Sequence, residues 1–193
     1  MCSSDLLVAI PTALLIAAAP AQDAKTGDKK EWAVHDMSRP QPPMVDTPAH
    51  HAPSDAVALF DGKSLDKWTG GQWEVKDGYF QVKAGSGNIR TKDKFGSCQL
   101  HIEWMVPETC HCESQHGCNS GLFFMDRYEL QILGSNPNKT YVDGMAGAMY
   151  GQHPPLVNAC RPNGQWNSYD VIFHAPVFKS DGSLEKEIGR AHV

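Results

Sequence analysis

The run "SCQLHIEWMV" (residues 97–106) alternates with a period of two and constrains everything around it. Cys98, Leu100, Ile102 and Trp104 fall on one face, and Ser97, Gln99, His101 and Glu103 on the other. A strand of this kind must bury one face and present the other outward. The rest of the chain reads alike. "QWEVKDGYFQVK" gives two strands around Asp77-Gly78, a two-residue hairpin signal. "AVALFDGKSLDKW" gives a short apolar run and an Asp61-Gly62 turn before Trp68, while "GLFFMDRYELQIL" and "SYDVIFHAPVF" supply further strand runs. With 17 Gly and 13 Pro marking turns, and no convincing helical period, an all-β, antiparallel β-sandwich is expected.

The N-terminus differs. "LLVAIPTALLIAAAPAQDA" is a short apolar core closed by Ala19-Pro20-Ala21, and it reads as a secretory signal cleaved after Ala21. It is too short, and too interrupted by Pro11 and Pro20, to span a membrane, which needs about 20 apolar residues. The mature chain is expected to be periplasmic or secreted, in an oxidising compartment, with no membrane attachment after cleavage. No Lys or Arg precedes the apolar run. "CSSDL" stands there instead, and the chain closes with "EIGRAHV". Ile188 to Ala191 can be encoded by DNA whose reverse complement encodes Cys2 to Asp5, so both ends read as translated adapter sequence. The expected divisions are a signal at 1–21, a Pro-rich leader at 22–55, an incomplete sandwich at 56–186 and an adapter-derived tail at 187–193. On that reading the C-terminal strands are missing and strand edges stand unpaired. A net charge of -5 with scattered Lys and Arg leaves no footprint for nucleic acid.

The polar faces carry the candidate chemistry. In "RYELQI", Tyr128, Leu130 and Ile132 share one face, and Arg127, Glu129 and Gln131 the other. His101 and Glu103 are expected to line the same surface from an adjacent strand. Tyr150 and Trp166 offer aromatic faces suited to stacking on a sugar ring, and Asn119-Ser120-Gly121 adds small hydrogen-bonding groups.

"LFDGKSLDKW", "WEVKDGYF", "FGSCQLHIEW", "NSGLFF", "RYELQIL", "GAMYGQHPPLVNACR" and "GQWNSYDVIFHAP" occur in the order found in the 3-keto-disaccharide hydrolase family, which this chain resembles from about Val57 to Pro176. The resemblance implies a concanavalin-like jelly roll with a carbohydrate cleft on its concave sheet. It also implies that Asn119, Arg127, Glu129, Gln131, Tyr150 and Trp166 occupy family motif positions. Gly134 departs from the pattern, standing where the family usually carries Asp, and the Cys/His loop before Asn119 is unusual.

Ordinary glycoside hydrolysis needs two carboxylates about 5 to 9.5 Å apart. Here Glu129 is one, with Glu103, Asp126, Asp143 and Asp170 as candidate partners. A 3-keto sugar asks for less, because its carbonyl acidifies the C2 proton and one base can start elimination of the C1 substituent. Water addition then completes a net hydrolysis. Glu129 or His101 is the expected base, with Arg127 and Gln131 stabilising the enolate and Asn119, Tyr150, Trp166 and Glu103 binding substrate. No cofactor is called for, and a divalent cation is left open. The competing reading is a non-catalytic carbohydrate-binding module, since such sandwiches serve both ends. A third is a secreted domain that uses this face for a protein partner.

Cys110, Cys112 and Cys118 with His111 and His116 have enough ligands for zinc, but their spacing lacks the tight pairs of structural zinc sites. A disulfide is favoured in an exported chain, Cys112 with Cys118 first and Cys110 with Cys118 close behind. Cys98 is expected in the core, and Cys160 is available to any cysteine left over.

Overall fold

A computed structural model of the chain describes residues 15–17, 32–47, 52–110, 113–116 and 118–188. Strands dominate, joined by turns, and the only helical pieces among the described residues are two single 3₁₀ turns, Ser114–His116 and Val142–Gly144. The first six strands are β1 (Leu15–Ala17), β2 (Val57–Ala58), β3 (Trp68–Gly70), β4 (Glu74–Lys76), β5 (Tyr79–Gln81) and β6 (Ile89–Thr91). The rest are β7 (Cys98–Met105), β8 (Ser120–Phe124), β9 (Tyr128–Ile132), β10 (Trp166–Phe173), β11 (Val177–Phe178) and β12 (Leu184–Lys186).

One antiparallel sheet runs in the order β10-β7-β1-β2. Its spine is the pairing of β7 with β10, which holds register from Cys98↔Phe173 to Met105↔Trp166. The alternation read in the sequence is realised: Cys98, Leu100, Ile102 and Trp104 are buried, and His101 and Glu103 point the other way. β1 lies within the segment read as a signal peptide, and its backbone pairs with β2 and β7. The remainder of that segment, together with residues 18–31 and 189–193, lies outside the described residues.

The second layer is the β8–β9 hairpin. The sequence reading took "GLFFMDRYELQIL" as one run, but the chain reverses within it. Met125 and Asp126 adopt φ of 54° and 55°, and the Arg127 N–H donates to the Phe124 carbonyl at 3.1 Å. Two successive left-handed residues match the twist of a tight hairpin, so the strands close with Leu122 opposite Leu130. The Asp77-Gly78 hairpin between β4 and β5 uses the same geometry, with φ of 51° and 83°.

Two contacts join the layers. Phe124 stacks on Phe173 with ring centroids 4.6 Å apart, and the Tyr169 hydroxyl, whose ring packs against Trp104 of its own sheet at 5.4 Å, donates to the Gln131 carbonyl at 2.8 Å. Leu100, Ile102, Leu130 and Ile132 complete the shared core, each such side chain contributing about 1.5–3 kcal/mol by leaving water. The protein is thus an antiparallel sandwich. One outward face belongs to β7 and β10, the other to β8 and β9.

Candidate functional site

Outside the core, the β9 face is roofed by two segments. Residues 147–150 run alongside β9: the Gln131 N–H donates to the Ala148 carbonyl at 2.9 Å, and the Tyr150 N–H to the Glu129 carbonyl at 3.0 Å. That pairing sets Tyr150 beside Glu129. The second segment is the Ser114–His116 turn, held by a disulfide between Cys110 and Cys118. The bond corrects the first choice of partner for Cys118. Cys112, with His111, lies outside the described residues. Cys98 is a free, buried core thiol, as expected, and Cys160 is free and half-buried.

The turn delivers Gln115, whose amide is fully used. Its Oε1 accepts from Gln131 Nε2 at 3.0 Å and from Asn119 Nδ2 at 3.1 Å. Its Nε2 donates to Thr140 Oγ1 at 2.6 Å and to the Gly144 carbonyl at 2.9 Å. Gln131 is consequently sealed, with 0% exposure, and donates also to the Gly144 carbonyl. The expectation that Gln131 meets substrate is therefore corrected. It lies beneath Gln115, and its own Oε1 is buried without a hydrogen-bond partner. Asn119 remains exposed at the rim of this network, and Arg127 is exposed at the hairpin end.

Glu129 is the half-buried carboxylate of the face. Loss of solvent raises its pKa above the usual carboxylate range. Near it stand Tyr141 and Tyr150, hydroxyl to hydroxyl at 2.6 Å with ring centroids 6.2 Å apart. The hydrogen bond to Tyr150, then desolvation and the charges of Tyr150, Asp143 and Glu129, push the Tyr141 hydroxyl up to about 12. The Tyr141 phenol therefore stays protonated at neutral pH. One O–H serves the pair and the other is free to donate outward.

The structure does not bring His101 and Glu103 to this place, because β7 neighbours β10 and β1, not β9. His101 Nδ1 pairs with Asp170 across the ladder at 2.7 Å, on the outward face of the opposite layer. Trp166 begins β10 opposite Met105, with its ring 6.4 Å from that of Tyr79. Asp126 is engaged on the surface with Arg90 at 3.1 Å. Of the partner carboxylates considered, Asp143 alone shares an electrostatic neighbourhood with Glu129, through Tyr141. No cluster of three or more metal-capable side chains occurs among the described residues.

Two residues here were missed by sequence reasoning, Gln115 and Tyr141. Gln115 sits inside the cysteine cluster, where the soft ligands drew attention. Tyr141 follows Thr140 in a segment with no strand period.

The sequence profile of the 3-keto-alpha-glucoside-1,2-lyase-like domain matches residues 55–182. Among solved structures, a candidate glycosyl hydrolase from Parabacteroides distasonis is 44% identical, with a TM-score of 0.75 over 82% of this chain and 74% of that one. A second candidate glycosyl hydrolase from the same organism, 18% identical with a TM-score of 0.47 over 70% of each chain, carries no argument. No curated protein matches.

Proposed function

Because the chain belongs to the family of 3-keto-alpha-glucoside-1,2-lyase-like domains, we propose that it is a carbohydrate-active hydrolase or lyase of 3-keto-glycosides with Glu129 as base. The observation that carries this reading is a half-buried carboxylate of raised pKa set beside a pair of hydrogen-bonded tyrosine hydroxyls. A base works best when its pKa approaches the working pH, and desolvation moves Glu129 in that direction.

Glu129 takes the proton from C2, which the C3 carbonyl acidifies, and the electron pair moves onto the carbonyl oxygen as an enolate. Collapse of the enolate breaks the C1–O bond, and the aglycone leaves with a proton from an acid. The sugar product carries a C1–C2 double bond conjugated to the ketone. Addition of water across that bond, hydroxyl to C1 and proton to C2, completes net hydrolysis. The free O–H of the Tyr141–Tyr150 pair supplies a donor to the developing charge, Arg127 a cation at the hairpin end, and Asn119 an amide at the rim. Gln131 acts from beneath by fixing Gln115 and Asn119.

Export also belongs to the proposal, and the Cys110–Cys118 disulfide supports it, since such bonds persist in oxidising compartments. The test is Glu129→Gln assayed on a chromogenic 3-keto-α-glucoside. Retained binding with lost turnover is expected. Undiminished turnover sinks the assignment, and binding without turnover by the unaltered protein would make it a carbohydrate-binding module.

A further inference from the structure

Gly121 lies in β8 directly opposite Gln131, one diagonal step from Glu129 on the same outward face. A glycine inside a strand weakens it and supplies no packing, so its presence there needs a reason. Backbone conformation is not that reason, because Gly121 is absent from the glycines with positive φ. Close approach is. A Cβ at Gly121 would meet Glu129 Cγ at 2.7 Å and Cδ at 2.8 Å, and would overlap Oε1. All three obstructing atoms belong to one side chain. The site directly opposite is closed as well, since Gln131 is sealed beneath Gln115. Glu129 thus lies back over bare strand instead of standing out from the sheet.

We infer that Gly121 is a positioning residue, the seat that lays the Glu129 carboxylate down on β8 beside the tyrosine pair. The inference rests on the reading of Glu129 as the base. Any side chain at position 121 lifts the carboxylate by a methyl radius or more. That displacement matters because reaction rates respond steeply to misplacement of about 1 Å. Glycine at this position thus costs strand propensity and in return leaves room for the geometry of its diagonal neighbour.

The experiment compares Gly121→Ala and Glu129→Gln on a chromogenic 3-keto-α-glucoside, with thermal melts of each. Gly121→Ala is expected to lower kcat at least tenfold, leave KM within about threefold, and keep the melting temperature. The acidic limb of its pH–rate profile should move toward the ordinary carboxylate value as Glu129 is lifted into water. The titratable groups that share the neighbourhood of Glu129 are Tyr141, Tyr150 and Asp143, all unchanged in the variant. A merely structural role for Gly121 predicts a lower melting temperature and an acidic limb that stays where it is. Full kcat in Gly121→Ala alongside a dead Glu129→Gln overturns the seat while leaving the base intact. Full kcat in Glu129→Gln overturns the underlying reading instead. Should Gly121→Ala fail to fold, Gly121→Ser supplies the same clash, and failure of both to fold assigns the glycine to stability and overturns the seat.

Discussion

The two outward faces of the sandwich are written in similar residues. β7 offers Gln99, His101 and Glu103, while Arg127 and β9 offer Arg127, Glu129 and Gln131. On the β7 face His101 meets Asp170 across the ladder, and Asp170 is 81% exposed. On the β9 face the disulfide-held turn and residues 141–150 fold over the strand, seal Gln131 and half-cover Glu129. On the first face the hydrogen bond ends on an exposed carboxylate and contributes little. The other is partly dry, so its carboxylate is perturbed and its hydrogen bonds matter more. Alternation tells which side chains face outward, but only the covering segments decide which outward face can do chemistry.

The largest effect that could break this comparison is kinetic. Glu129→Gln should reduce turnover of a 3-keto-α-glucoside by about 10² to 10⁴, the usual worth of a general base, whereas His101→Ala should stay within about threefold. Steady-state kinetics on both variants checks it, and the reverse ranking would move the site to the other layer. Next in size is Gln115→Ala. Losing that amide removes one of two acceptors from Gln131 Nε2, which keeps the Gly144 carbonyl, and one from Asn119, which keeps the residue-115 carbonyl, and a lost buried hydrogen bond costs about 0.5–1.5 kcal/mol. Denaturant unfolding should show that loss, with a raised KM from a loosened rim. A smaller effect is expected for Asp170→Asn, because a polar pair this exposed is worth about 0–1 kcal/mol whether or not it is charged. A loss above about 2 kcal/mol would mean that the β7 face is not simply solvated.

The smallest effect is linkage at Glu129. Its folded pKa is raised, so the folded state keeps a proton that the unfolded chain has already lost. Stability is therefore fullest below the ordinary carboxylate value of about 4.3 and declines as pH rises through the folded value. Glu129→Gln should flatten that part of the pH–stability curve. An unchanged slope would place the titrating group elsewhere.

Much of this was legible in the sequence because the period of two is a local property. The buried and outward residues of β7, the faces of "RYELQI" and the Asp77-Gly78 hairpin follow from it directly. The Met125-Asp126 reversal did not, since neither residue is one that prefers positive φ as glycine does. Nor did the order of strands: periodicity cannot say that β7 lies beside β10 and β1 and away from β9. Gln115 was illegible for a deeper reason. Its role comes from convergence of Asn119, Gln131, Thr140 and Gly144, four points separated along the chain, on one amide.

The most direct measurement is a structure of Glu129→Gln, inactive by design, with a 3-keto-α-glucoside bound. The account predicts the sugar on the β9 face, with C2 about 3–3.5 Å from the residue-129 amide and the Tyr141–Tyr150 pair against the reacting end. A sugar seated beside His101, Glu103 and Trp166 on the opposite layer would contradict it.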